Sequence, residues 1–294
     1  MIITDIRQEL RDLDRVEPLQ GERYATCMAA YEAASNQRER ILAWFTDDVI
    51  PELSTERAHV LSVGCGAGDL DKGILAAGAE HAAVVSYVGL EPDSRQCERF
   101  TERMGFDDDR NVQVETRNVS FEDFDEARRF DLVMMVHSLY YMEDPEVALG
   151  NALELVRDGG RLAVLIASND SLNELSSSFW ERENDRPTWF SEDLSEHLEG
   201  LGVPFERTRI GATLDVSDCC EPHSERGVRI ADFLAQVPTG ELPERLRDMI
   251  FSYLGETSRS DGEKRWLPHN VDAFTITPGP GERPGLDAPE VVRV

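Results

Sequence analysis

The stretch LSVGCGAGDLD, residues 61–71, carries an apolar run into glycines at positions 64, 66 and 68 and closes on Asp69 and Asp71. Glycines at every second position leave bare backbone at the mouth of a strand, which permits a tight turn and lets a ligand lie against main chain. A dinucleotide fingerprint would place its third glycine at position 69 and keep the following helix N-terminus clear of anions for a pyrophosphate. Two carboxylates there would repel a pyrophosphate, whereas beside a sulfonium and an ammonium they are harmless or favourable. The stretch therefore points to S-adenosylmethionine rather than NAD, with Gly64, Gly66 and Gly68 as its backbone cradle. The absence of Gly-Lys-Ser/Thr excludes a phosphate-binding P-loop.

Outward from this turn, short apolar runs alternate with helical patterns. HVLSVG (59–64), AVVSYVGL (83–90), VQVE (112–115), FDLVMMV (130–136) and RLAVLIA (161–167) read as strands, separated by helices near 69–77, 93–104 and 145–156. Near-continuous apolar strands alternating with helices predict an α/β fold, a doubly wound and mostly parallel sheet covered on both faces. The second strand ends in GLEP, where Glu91 stands 27 residues after Gly64, a place suited to accepting hydrogen bonds from ribose hydroxyls.

Residues 1–57 read as a helical N-terminal cap closed near Pro51, and 58–168 as the cofactor-binding core. Residues 169–277 hold two further helices, SLNELSSSFWEREN and SEDLSEHLEGLG. They also hold two late strands, VPFERTRIG (203–211) and NVDAFTIT (270–277), expected as an antiparallel edge pair and completing the sheet and a substrate lid. The proline- and glycine-rich tail, 278–294, is expected to be disordered.

The charge is strongly negative: 30 basic against 58 acidic residues leave −28, which disfavours nucleic acid and anionic membrane as partners. Lys72 and Lys264 are the only lysines, so the acid surplus fits either a high-salt cytoplasm or a GC-rich genome that writes arginine for lysine. Five cysteines without metal-ligand spacing suggest reduced thiols and no metal site. An acidic N-terminus and the lack of a long apolar run lead to the expectation of a cytoplasmic protein, a monomer or weak dimer acting on a small molecule.

The fourth strand ends in VHSLYYMEDP (136–145), at the edge where open α/β sheets bind ligands, so His137, Tyr140 and Tyr141 are candidate walls and catalytic groups of an acceptor pocket. Taken with the glycine turn, the Glu-Pro pair, TLDVSDC (213–219), ADFL (231–234) and NVDAFTI (270–276), this segment makes the chain resemble the histamine N-methyltransferase family over about residues 24–277. The resemblance implies a seven-stranded, Rossmann-like methyltransferase domain with a substrate-binding cap. It further implies that Gly64, Glu91, Gln96, Ser120 and Val136 contact S-adenosylmethionine, and that Tyr24, Met28, Gln37, His137, Tyr140, Tyr141, Phe233 and Asn270 surround the acceptor.

Departures from the family pattern fall in the acceptor set. Gln37 stands where the family has a glutamate, His137 where it has a glutamine, and Leu172 and Ser176 where it has tryptophans. Losing the carboxylate removes charge-assisted recognition of a cationic amine, worth about 1.5–3 kcal/mol. The expected activity is in-line methyl transfer to an imidazole or amine nitrogen. Transfer to oxygen, carbon or sulfur, and cofactor binding without catalysis, are the alternatives.

Overall fold

The computed structural model describes residues 2–13, 16–105, 111–184 and 186–278. The N-terminal segment contributes α1 (Ile2–Arg11), α2 (Gly21–Glu32) and α3 (Gln37–Trp44). The alternating region follows as β1 (Ala58–Val63), α4 (Asp71–His81), β2 (Val85–Leu90), α5 (Ser94–Met104), β3 (Val112–Arg117), β4 (Phe130–Val136), α6 (Pro145–Leu155) and β5 (Val156–Ala167). After it come α7 (Ser171–Asn184), α8 (Ser191–Leu201), β6 (Phe205–Ile210), β7 (Thr213–Asp215), α9 (Glu225–Ala235), α10 (Glu244–Thr257), β8 (Arg259–Ser260), β9 (Arg265–Pro268) and β10 (Val271–Ile276).

These elements form two compact units, each discontinuous in sequence. One comprises residues 1–40, 167–190 and 210–271; the other comprises 41–166, 191–209 and 272–294. The linear scheme of 1–57, 58–168 and 169–277 thus meets an interleaved chain, in which the first forty residues group with α7, α9 and α10.

The second unit holds the seven-stranded sheet, in the order β3-β2-β1-β4-β5-β10-β6. β1 pairs in parallel with β2 and β4, β2 with β3, and β4 with β5. From β1 the chain winds outward through β2 and β3, then returns to the other side of β1 with β4 and β5. The strand order therefore reverses between β1 and β4, and ligands bind at the carboxyl ends flanking such a reversal. Val60, Leu61, Val63, Leu132, Val133, Met134 and Met135 are all buried, which explains why these strands read as unbroken apolar runs. β5 begins at Val156, five residues before the expected run, with a register shift against β4 between Phe130 and Leu132. The two late strands join this sheet as neighbours, β6 at its edge. Asp272 of β10 is buried and accepts from Ser191 Oγ (2.7 Å) and from the Arg207 guanidinium of β6 (2.6 Å), which ties this edge together.

The first unit packs Ile6 and Leu10 of α1 with Leu172, Leu175 and Phe179 of α7, Ile230, Leu234 and Ala235 of α9, and Leu246, Ile250 and Leu254 of α10. Its three-stranded sheet, β7-β9-β8, is antiparallel and was not read in the sequence. Among the described residues no helix is long and apolar enough to cross a membrane. The tail expected to be disordered lies, beyond Pro278, outside the described residues.

Candidate active site

At the reversal point of the second unit, the turn after β1 takes Gly64, Gly66 and Gly68 through left-handed φ of 70°, 56° and 75°. Alanine at 64 would also collide, since its Cβ would come 2.7 Å from Ser138 Cβ, and at 68 it would meet the Phe100 ring at 2.7 Å. Around Gly66 a Cβ would meet nothing within 4 Å, so its side of the turn is open.

Glu91 follows β2 directly and is buried, with its carboxylate built into the turn. Oε2 accepts from the Gly66 amide (2.9 Å) and Oε1 from the Asp93 amide (2.9 Å). A carboxylate offers about four lone-pair directions, so each oxygen keeps acceptor capacity for a ribose hydroxyl. Asp93 in turn caps α5, accepting from the Arg95 and Gln96 amides. That cap places Gln96 in the first turn, where its buried Oε1 has no partner among the described residues; the same holds for Ser138 Oγ. Buried polar atoms without partners are costly, and the amine and hydroxyls of S-adenosylmethionine are donors suited to such oxygens. The residues present fit this cofactor.

Two aspartates at the turn have duties that their spacing did not reveal. Asp69 pairs with Arg103 of α5 (2.6 Å), whose guanidinium also donates to the Ala67 carbonyl (2.5 Å). Asp71 is buried, and its Oδ1 accepts from the Tyr87 hydroxyl at 2.8 Å. Both carboxylates are engaged by side chains of the fold, so, contrary to the expectation from their spacing, they do not by themselves favour a sulfonium over a pyrophosphate. Asn118, also missed, donates from its amide to the Glu91 carbonyl (2.8 Å) and the Pro92 carbonyl (2.9 Å), anchoring the chain after β2. A polar residue just past the end of β3 was the available signal. Ser120 lies further along this loop and donates to Asp123 (2.9 Å).

Val136 ends β4, and His137 after it adopts φ of 52°, unusual for a residue with a side chain. The His137 amide donates to the Leu165 carbonyl (2.9 Å), and its Nδ1 lies 3.2 Å from the Tyr140 hydroxyl with the two rings stacked. Burial pulls the His137 imidazolium down to about 4, so this ring is neutral at physiological pH. Tyr141, by contrast, is 64% exposed.

In the first unit, Tyr24, Met28 and Tyr31 share a face of α2 at spacings of four and three residues. The Phe233 ring of α9 packs against Tyr31 (centroids 4.5 Å apart) and Tyr24 (5.7 Å). Gln37 is buried and donates from its side-chain amide to the His269 carbonyl (2.8 Å), while Asn270 Oδ1 accepts from the Ala212 amide (3.2 Å). Tyr31 and His269 were not read as site residues, although Tyr31 continues the helical spacing of Tyr24 and Met28.

Replacing Glu91 by alanine removes the acceptor of two backbone amides and unties the turn. Titration calorimetry with S-adenosylhomocysteine should show a dissociation constant raised at least tenfold, about 1.4 kcal/mol. An unchanged constant would take Glu91 out of the site.

The methyltransferase domain family matches residues 34–203. A histamine N-methyltransferase from Danio rerio is 23% identical over 254 residues, 79% of this chain and 86% of that protein. The Bos taurus histamine N-methyltransferase is 27% identical over 192 residues, 60% of this chain and 65% of that protein. Among solved structures, the plantazolicin methyltransferase BpumL in complex with SAH shares the fold at a TM-score of 0.51 and 12% identity, over 94% of this chain and 95% of that one. The family match spans more than half of the sequence, and this chain belongs to the class I S-adenosylmethionine-dependent methyltransferases, within which it is similar to the histamine N-methyltransferases.

Proposed function

We propose that this enzyme methylates a nitrogen of a small imidazole or amine acceptor. The similarity to a histamine N-methyltransferase carries this reading, because it runs over 79% of the chain and so extends well past the cofactor turn. When bound, S-adenosylmethionine supplies an electrophilic methyl group on a sulfonium. The chain's own task is then positional: the glycine turn and Glu91 fix the donor, and a rigid pocket holds the acceptor lone pair in line at near-attack distance.

His137 narrows the choice of acceptor. With its imidazolium pulled down to about 4 by burial, it is too weak a base to deprotonate an alkylammonium, and it adds no positive charge to repel a sulfonium. An imidazole, whose ordinary pKa is near 6.5, already presents a lone pair at neutral pH. The pairing of a weak buried base with a self-sufficient nucleophile supports imidazole-type acceptors over primary amines. Within the second unit, His137, Tyr140 and Tyr141 are the proposed catalytic groups. Within the first unit, Tyr24, Met28 and Phe233, with Gln37 and Asn270, are the proposed acceptor-binding residues.

The test is incubation with labelled donor and a library of imidazoles, amines, phenols and thiols, followed by mass-spectrometric location of the methyl group. An N-methylated product is expected; exclusive methylation of oxygen, carbon or sulfur defeats the reading. On the best acceptor, His137 should contribute no inflection to kcat between pH 5.5 and 7.5, because its low pKa puts its protonation limb near pH 4. NMR titration of its ring protons checks the assignment, and a midpoint near 6.5 would refute it.

A further inference from the structure

Ser138 follows His137 at the carboxyl end of β4 and is only 5% exposed. It opens the short turn Leu139–Tyr141, whose last amide donates to the Ser138 carbonyl at 3.1 Å. A serine in that position ordinarily swings its hydroxyl back onto an amide of the turn. Here it makes no such cap, and its buried Oγ has no partner among the described residues. The side chain lies against the glycine turn instead: a Cβ built on Gly64 would come 2.7 Å from Ser138 Cβ and 3.5 Å from Ser138 Oγ. The hydroxyl therefore belongs to the carboxyl ends of β1 and β4, where the strand order reverses.

We propose that Ser138 is a cofactor-binding residue, its Oγ accepting a hydrogen bond from the α-ammonium group of S-adenosylmethionine. The inference rests on the placing of the catalytic groups at His137 and Tyr140. Glu91, suited to the ribose, stands at the end of β2 on one side of β1, and Ser138 stands at the end of β4 on the other. A ligand crossing the reversal with its ribose toward β2 turns one of its two ends toward β4. That end must carry the sulfur if the methyl group is to face His137 and Tyr140, and beyond the sulfur comes the amino acid rather than the adenine.

Of the two charged groups of that amino acid, the ammonium is the better partner. The Gly64 and Cys65 amides both donate to the Leu90 carbonyl (2.9 and 3.0 Å), and the Gly66 amide donates to Glu91. A carboxylate beside Ser138 would thus find one hydroxyl and none of these three donors. An ammonium needs acceptor oxygens, and the neutral His137 ring sets no cation against it. A buried hydroxyl without a partner destabilises the ligand-free protein, and a donor on the ligand relieves that cost. The two effects separate in a variant.

The test uses the full chain and three probes at pH 7. They are S-adenosylhomocysteine, S-adenosylthiopropylamine, which keeps the amine and lacks the carboxylate, and methylthioadenosine, which lacks both. In Ser138→Ala, calorimetry should show the first two weakened about fivefold and the third by less than about twofold. Glu91→Ala, acting at the ribose that all three share, should weaken all three. The thermal midpoint of ligand-free Ser138→Ala should match or exceed that of the wild type, because alanine removes a hydroxyl that nothing satisfies. Equal losses on all three probes, a loss on S-adenosylhomocysteine alone, or unchanged affinities overturn the inference, as does a wild type that binds none of them. A lowered midpoint with unchanged affinities would make Ser138 structural only. Methyl transfer found exclusively on oxygen, carbon or sulfur would refute the proposed N-methylation and leave Ser138 in its place.

Discussion

Gly64→Ala should lower affinity for S-adenosylhomocysteine at least thirtyfold and depress the thermal midpoint by several degrees. Two independent costs meet at this position. Its φ of 70° is strained for any residue with a Cβ, by about 1–2 kcal/mol. The added methyl would also sit 2.7 Å from Ser138 Cβ, closer than carbon atoms approach, and overpacking of this kind costs roughly 1–3 kcal/mol more. Relief would have to come from the turn or from the start of the segment after β4, and either movement displaces the backbone proposed to hold the cofactor. The double variant Gly64→Ala, Ser138→Gly separates the two causes, since it removes the collision and keeps the strained φ. It should regain part of the stability and part of the binding. Gly66→Ala, with open space around its would-be Cβ, should lose less stability than Gly64→Ala. Wild-type affinity in Gly64→Ala would show that the turn does not carry the cofactor.

Asp71→Asn should stabilise the protein at pH 8 by about 1–2 kcal/mol and by clearly less at pH 5. Burial raises the Asp71 carboxyl from 3.8 to about 6, against opposing hydrogen bonds from Ser62 and Tyr87. An acid that holds its proton more firmly when folded contributes most stability below its unfolded pKa and loses it as pH rises through the window from about 4 to about 6. Above that window the ionised group costs on the order of 3 kcal/mol, at about 1.4 kcal/mol per pKa unit. Asparagine removes the charge and keeps an oxygen for the Tyr87 hydroxyl, although it gives up a favourable anion in the first turn of α4, worth about 0.3–1 kcal/mol. Tyr87→Phe should act in the opposite sense, destabilising more at pH 8 than at pH 5, because the ionised carboxylate then loses a donor. Urea unfolding at the two pH values measures both variants. Equal shifts at pH 5 and pH 8 would mean that Asp71 does not titrate between them.

The central strands were legible because each is buried on both faces. HVLSVG, AVVSYVGL and FDLVMMV lie on β1, β2 and β4 to within two residues at either end. The glycine turn was legible for a local reason too, since left-handed φ at three alternate positions admits few residues but glycine. The small sheet was not, because β7 has three residues and β8 two, both exposed in β8, and a period of two cannot declare itself over so short a run. The early start of β5 was hidden as well, because of VRDGG only Val156 pairs with β4, and the turn residues after it fall in the register shift before Arg161.

Local spacing singled out Gly64, Gly66, Gly68, Glu91 and the segment His137–Tyr141 as candidates, while the contacts of neighbouring side chains were decided by partners far along the chain. Asp69 and Asp71 look alike in sequence, yet Arg103 from α5 pairs with one and Tyr87 from β2 bonds to the other. Tyr31 and Ser35 meet His269 across 238 and 234 residues. Local periodicity reports which face of an element turns inward and where the backbone must bend, so the central strands and the glycine turn could be read from residues alone. Which charge is neutralised, which acid is buried and which phenol is held by an imidazole depend on contacts between distant segments, and only folding brings those segments within hydrogen-bonding distance.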